Sequence, residues 1–181
     1  FQLTTDGVNV WHGKRSGYLG TDVSFYGCEA VLTRYSPMVI SLWNEMKQKP
    51  GSCITVFGEL FGGGYPGMVR LPTVLQDSKQ KVTKPVQNGI WYSPSVDFYA
   101  FDIYDHSTTS YLEFATTLRL FEQRGWPMYA RPLLYGTLAQ LMEYTPDQTP
   151  SFLYTHYGLK PVACNTVEGF VLRSLTGERV I

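Results

Sequence analysis

The chain has 181 residues, 44% of them hydrophobic, which is enough to bury a substantial core and points to one globular unit spanning 1–181. Lys and Arg total 15 and so do Asp and Glu, so the net charge is zero and the overall balance does not advertise a long polyanion as partner. No charged leader and no apolar run of about 20 residues is visible, so no targeting or membrane-spanning segment is expected.

Residues 1–35 alternate short apolar runs with Gly-rich turns, notably around Trp11-His12-Gly13-Lys14-Arg15-Ser16-Gly17-Tyr18, and read as strand and turn. Ser36-Pro37 marks a change. Val39, Leu42, Trp43 and Met46 recur at three- and four-residue spacing, Pro37 suits a first helical turn, and Pro50-Gly51 closes the segment, so a helix is predicted over 38–47. Ile54-Thr55-Val56-Phe57-Gly58-Glu59-Leu60-Phe61 is rich in β-branched and aromatic residues and predicts a buried strand running into Gly62-Gly63-Gly64. Residues 62–90 read as a loop whose one basic cluster, Lys79 to Lys84, suits a solvated face. Phe98-Tyr99-Ala100-Phe101-Asp102-Ile103 predicts a second strand. Ser110 with Glu113 has capping-box spacing, and Tyr111, Phe114, Ala115, Leu118 and Phe121 line one face of a helix that Gly125 ends. A shorter helix is predicted over 136–144 and a final strand over 167–173. Strands and helices without βαβ alternation predict an α+β fold with an antiparallel or mixed sheet.

Cys28, Cys53 and Cys164 are far apart and lack metal-site or disulfide-framework spacing, which fits a reducing compartment. His12, His106 and His156 have no partner at metal or triad spacing, and surface or structural roles are expected for them. Trp43, Trp91 and Trp126 read as core or interface aromatics. Two carboxylates draw more interest: Glu59 and Glu168 each sit in an apolar string beside glycine, and a carboxylate buried there would need a cation, a metal or a hydrogen-bond donor. The plainer alternative is a Glu that faces solvent from a half-covered sheet.

Read in order, Asp6-Gly7-Val8-Asn9, Lys14-Arg15-Ser16-Gly17, Phe57-Gly58-Glu59-Leu60-Phe61-Gly62-Gly63, Phe98-Tyr99-Ala100-Phe101-Asp102-Ile103 and Glu168-Gly169-Phe170-Val171-Leu172-Arg173 resemble motif I, the basic segment after it, and motifs III, IIIa and IV of the RNA ligase 2 and kinetoplastid editing-ligase family. The resemblance covers nearly the whole chain, including Tyr92-Ser93-Pro94 before motif IIIa. It implies a nucleotidyltransferase core of two packed, twisted antiparallel sheets with flanking helices and ATP held in the cleft between them. In the family a motif I lysine attacks the α-phosphorus of ATP, and the lysyl-AMP passes AMP to an RNA 5′-phosphate before a 3′-OH displaces it. Carried over, Glu59 would hold the ribose hydroxyls, Phe101 would stack on adenine, and Arg15 would meet a phosphate. Glu168 would help bind Mg2+ or orient the nucleophile, Asp102 would support the strand end that places Phe101, and Arg173 falls near the basic position of motif IV. Asp6, Gly7 and Asn9 would support motif I.

The departures matter as much. The same alignment puts Thr4 where the lysine should be and Leu3 where a glutamate usually reads the adenine. A threonine hydroxyl needs a dedicated base and would form a stable ester, so the covalent step is expected to fail. Four residues between Asn9 and Lys14 replace a longer hairpin, and motif V with its paired lysines would be expected after Thr176-Gly177-Glu178-Arg179, so the domain reads as incomplete at its N-terminus and before motif V. Three readings follow: a pseudo-ligase acting as a structural or interaction subunit of a larger assembly and requiring no cofactor; a domain that still binds ATP or AMP, with Mg2+, or an RNA end; and an active ATP-dependent RNA ligase. A mitochondrial setting is implied by the editing ligases.

Overall fold

The computed structural model describes residues 1–20, 23, 25–67 and 84–174. The chain forms two compact units, Phe1–Leu60 with Phe98–Arg131, and Phe61–Asp97 with Pro132–Ile181. The first is built on a six-stranded sheet of β1 (Gln2–Thr5), β2 (Val10–Lys14), β3 (Gly17–Tyr18), β4 (Ile54–Gly62), β5 (Val96–Asp105) and β6 (Ser110–Tyr111), in the order β3-β2-β1-β4-β5-β6. Strands β1 and β2, β1 and β4, β2 and β3, and β5 and β6 are antiparallel. The far end of β4 and the first residues of β5 belong to the second unit.

The β1–β2 turn is set locally. Asp6 Oδ1 accepts the Val8 and Asn9 backbone N–H at 2.9 and 2.7 Å, so Asp6 and Asn9 close the turn with Gly7 between them. Register then decides the faces. Leu3 pairs with Val56 and Thr4 with Thr55, and residues paired across strands share a face, so Leu3 and Val56 lie on one side and Thr4 and Thr55 on the other. Leu3, Ile54 and Val56 are fully buried, as is Phe98 of β5. Helix α1 (Glu29–Glu45) presents Val31, Tyr35, Val39 and Leu42 to this core at helical spacing. Tyr35 meets the Phe98 ring edge-on at 5.5 Å and donates to the Phe98 carbonyl at 3.2 Å. Helix α2 (Phe114–Gln123) buries Thr117, Leu120 and Phe121, and Phe121 packs on Trp126 with ring centroids 5.0 Å apart.

Among the described residues the second unit is held by loops rather than by a sheet of its own, and its helical pieces are α3 (Leu138–Leu141) and two 3-10 turns at Pro146–Gln148 and Leu153–Tyr157. Asn165, buried, clamps one residue from both sides: its Oδ1 accepts the Trp91 N–H at 2.8 Å and its Nδ2 donates to the Trp91 carbonyl at 2.7 Å. Tyr157 donates to Asp97 at 2.8 Å and Tyr65 to the Lys160 carbonyl at 2.5 Å. Phe61 contributes rings against Tyr92 and Tyr157 at 6.0 and 6.4 Å.

Several sequence expectations are corrected. The helix predicted over 38–47 begins at Glu29, so residues 29–35 are helical and Pro37 lies inside α1 on an exposed position. Ser110 caps no helix; it pairs with Asp105 in β6, and α2 starts after Glu113 without a side-chain cap. Tyr111 belongs to β6 and Ala115 is exposed, so the buried face of α2 is Thr117, Leu120 and Phe121. The helix predicted over 136–144 shrinks to four residues, none buried. Residues 167–173 form no strand; an isolated bridge joins Thr166 to Pro150. The strands predicted at 54–61 and 98–103 are β4 and β5, and the α+β class stands. The lysines at 79 and 81 and the segment 176–179 lie outside the described residues. Among the described residues no helix is long and apolar enough to cross a membrane.

Candidate active site

Strand alternation gathers three of the implied site residues on one sheet face of the first unit. Glu59 lies four residues beyond Thr55 on β4, so both face away from α1, about 13 Å apart along the strand. On β5 Phe98 points to the α1 core, so Tyr99 and Phe101 point to the opposite side, where Phe101 is half-buried. Thr4, Glu59 and Phe101 therefore share this face. Gly58 lets β4 and β5 approach: a Cβ there would overlap the Phe98 ring and the Tyr99 carbonyl. Gly62, at φ 83°, turns the chain off β4 where a side chain would strike Ser93 and Ser95. The glycines flanking Glu59 thus have structural reasons of their own.

Glu59 is exposed. It matches the plainer sequence reading, a carboxylate on the solvent side of a half-covered sheet, and its charge acts on the Phe1 amine. Asp102 is buried within β5, three residues before the strand ends at Asp105. Arg15 is exposed in the β2–β3 turn.

Thr4 is 3% exposed, and its hydroxyl is committed. Tyr18 donates to Thr4 Oγ1 at 3.1 Å; Thr4 and Thr55 share a hydrogen bond at 2.8 Å; Thr55 Oγ1 meets His106 Nε2 at 2.8 Å. Thr4 accepts from Tyr18 and shares a proton with Thr55, which in turn is hydrogen-bonded to the His106 ring. The chain of groups runs across β3, β1, β4 and the end of β5. Leu3, at the adenine-reading position of the resemblance, is fully buried on the α1 face. Sequence reasoning missed Tyr18, Thr55 and His106, because nothing local reveals that β1 pairs with β4 in this register.

Glu168 and Arg173 belong to the second unit. Glu168 is exposed and accepts a hydrogen bond from Tyr92 at 3.2 Å, while Arg173 is half-buried. With Asn165 gripping Trp91, the motif IV-like segment is tied to the segment that precedes motif IIIa, an association the sequence displays only as two separate strings. Among the described residues no group of three or more His, Cys, Asp or Glu side chains is placed to hold a metal. Cys28 is buried, and burial pushes its thiol up to about 11, so it is an inert core residue. All three cysteines are free.

The RNA ligase family model matches residues 3–181. The chain belongs to the RNA ligase family. It is 27% identical to the mitochondrial RNA-editing ligase 2 of Trypanosoma brucei brucei over 91% of this chain and 43% of that protein, and 27% identical to RNA-editing ligase 1 of the same organism over 91% and 39%. It therefore spans less than half the length of these curated relatives. An RNA ligase of Naegleria gruberi, solved as a lysine-to-alanine mutant with ATP and manganese and also with pyrophosphate, superposes with TM-scores of 0.56 and 0.57 at 18% identity. Those alignments cover 98% of this chain and 44% and 43% of the solved chains, and they establish the nucleotidyltransferase fold.

Proposed function

We propose that this RNA-ligase domain has lost lysyl adenylylation and serves as a structural or interaction subunit of a larger assembly. The observation that carries the reading is Thr4, a buried hydroxyl engaged by Tyr18 and Thr55 at the position the resemblance gives to the nucleophile. A lysine amine forms a phosphoramidate that readily gives up AMP, whereas a threonine would form a phosphodiester that does not. The imidazole hydrogen-bonded into this chain of groups, His106, is two hydrogen bonds away, reached through Thr55. Incubation with α-labelled ATP and Mg2+ should leave the protein unlabelled. A covalent adenylate would overturn this reading.

Non-covalent binding of ATP or AMP is part of the proposal, with Glu59 accepting from ribose hydroxyls, Phe101 stacking on adenine and Arg15 meeting a phosphate. Glu59 and Phe101 share one sheet face, which supports a common ligand for them. A single carboxylate at Glu168 suits Mg2+ that is held mostly by phosphates and water rather than by a protein cage, and bound Mg2+ would supply charge neutralisation at the phosphates. The two-sheet core implied by the resemblance belongs to the proposal too, the six-stranded sheet being one of the pair. Calorimetry should detect AMP binding that Glu59→Ala weakens at least fivefold; no heat at millimolar AMP would remove the nucleotide from the proposal.

The second reading is an active ATP-dependent RNA ligase joining 3′-OH and 5′-phosphate ends, favoured by the ligase names of the trypanosome relatives. Ligation of a nicked RNA by the unaltered chain would establish it. A mitochondrial location is proposed from the same names, and a tagged full-length protein tests it by microscopy.

A further inference from the structure

The second unit carries a stretch that its own core does not use. Leu133, Leu134, Tyr135, Leu138, Met142 and Tyr144 are 54, 45, 74, 61, 65 and 51% exposed, six large apolar side chains within twelve residues. Helix α3 lies in the middle of the stretch, closed by a full capping box between Thr137 and Gln140, yet it buries none of its residues. The turn is held by its capping box and backbone hydrogen bonds rather than by burial, which leaves its apolar side chains available for packing from outside. Leu138 and Met142 are one turn apart and project from the same side.

We infer that this segment is a self-association surface whose occupant is the same segment of a second copy of the chain. Two observations select that occupant. Between Pro132 and Pro146 the only carboxylate is Glu143 and there is no basic residue, so two copies meet with little like-charge repulsion, while an acidic partner finds nothing to pair with and a basic one a single carboxylate. The six side chains expose on the order of 600–700 Å2 per copy, and doubling that gives about 1,300 Å2, within the range of stable protein contacts. A two-fold arrangement places α3 against α3 and closes the assembly at two copies. The inference does not depend on nucleotide binding or on the loss of catalysis.

Sedimentation equilibrium of the 181-residue chain from about 1 to 200 µM should give a monomer–dimer equilibrium with a dissociation constant in the micromolar range. Leu138→Glu with Met142→Glu should weaken it at least tenfold without altering the near-ultraviolet circular dichroism, since neither side chain supports the core. Val171→Glu, at a more exposed position outside the segment, should leave it unchanged. Independently of any variant, hydrogen exchange of residues 133–144 in the unaltered chain should slow as concentration rises. A monomer at every concentration, growth beyond the dimer, or a dimer indifferent to both glutamates overturns the inference.

Discussion

Two strings in this chain look alike on paper: each sets a glutamate beside glycine in an apolar run, and each resembles a ligase motif. Around Glu59 the run becomes β4, with β1 on one side and β5 on the other; around Glu168 it becomes no strand at all. What differs is the company each keeps. β4 has Leu3, Thr4 and Thr5 in register along one edge and a glycine that lets β5 approach on the other, so its backbone groups are paired and its inward side chains are fully buried. The string at 168 has only isolated backbone pairing, such as the Val167 N–H on the Thr149 carbonyl, among the described residues, and side chains add to it, with Asn165 on the Trp91 backbone and Tyr92 on the Glu168 carboxylate. β-propensity describes fitness for a sheet surface and creates a strand only where a neighbour supplies the ladder.

The largest effect should come from closing the gap between β4 and β5. Gly58→Val would drive a branched side chain into the Phe98 ring and the Tyr99 carbonyl, and since Phe98 anchors the α1 core the cost should reach about 3 kcal/mol or more. Urea titration followed by circular dichroism should find the variant largely unfolded. Gly169→Val, with open space around its Cβ, should be within about 0.5 kcal/mol of the parent. If both behave alike, the contrast between the strings is wrong.

Next comes Thr4→Lys. If only the nucleophile were missing, this change would restore adenylylation. The buried hydroxyl chain argues otherwise: the lysine must displace the Tyr18 and Thr55 contacts and bring an amine into a site 3% exposed, at a cost of about 2–4 kcal/mol. Thermal denaturation should fall markedly, with no label from α-labelled ATP. Thr4→Ser, which keeps the hydroxyl, should lose far less.

Asn165→Ala probes the other side of the comparison. Removing the clamp leaves the Trp91 N–H and carbonyl without their partner, at about 2 kcal/mol. The loss should appear as faster hydrogen exchange around Trp91 and residues 165–168, while β4 amides remain protected.

These contrasts also explain how much was legible beforehand. β4 and β5 were readable because their β-branched and aromatic runs coincide with real ladders. Capping-box spacing misled once and was overlooked once: Ser110 with Glu113 forms no box because Ser110 is taken into β6 by Asp105, whereas Thr137 with Gln140 forms the full box at the start of α3. Tertiary pairing overrode the local signal in the first case, and nothing competed in the second. Pro37 misled for a related reason; it suits a first helical turn, but here it lies inside α1, whose burial of Val31, Tyr35, Val39 and Leu42 offsets the cost of the missing N–H. For the site, alternation made Glu59 and Thr55 face-mates in principle. The partners that occupy Thr4 depend on register between segments some fifty residues apart, which one sequence does not encode in any local pattern.

The smallest expected effect is in acid, and it should fall on the sheet unit, where His12, Asp6 and Asp105 have shifted titrations. Burial lowers the His12 value from 6.5, partly opposed by Glu29, so the unfolded chain takes up a proton more readily than the folded one. The stability this neutral imidazole supports is complete above about pH 6.5 and is lost as pH falls through the lower folded value. The Asp6 carboxyl is held below its ordinary 3.8 by the Asn9 and Val8 amides, so its share is present above that value and lost only on stronger acidification. The two therefore act in separate windows, one starting near pH 6.5 and the other below about pH 4. Denaturant midpoints between pH 7.5 and 5 should decline in the parent and flatten in His12→Gln. Asp6→Asn, whose amide oxygen can still accept both turn N–H groups, should follow the parent through that range and diverge only below pH 4. A decline that persists undiminished in His12→Gln would place the acid-sensitive group elsewhere, and exchange rates around Trp91 measured over the same range would reveal whether the clamped loops soften with the sheet or independently of it.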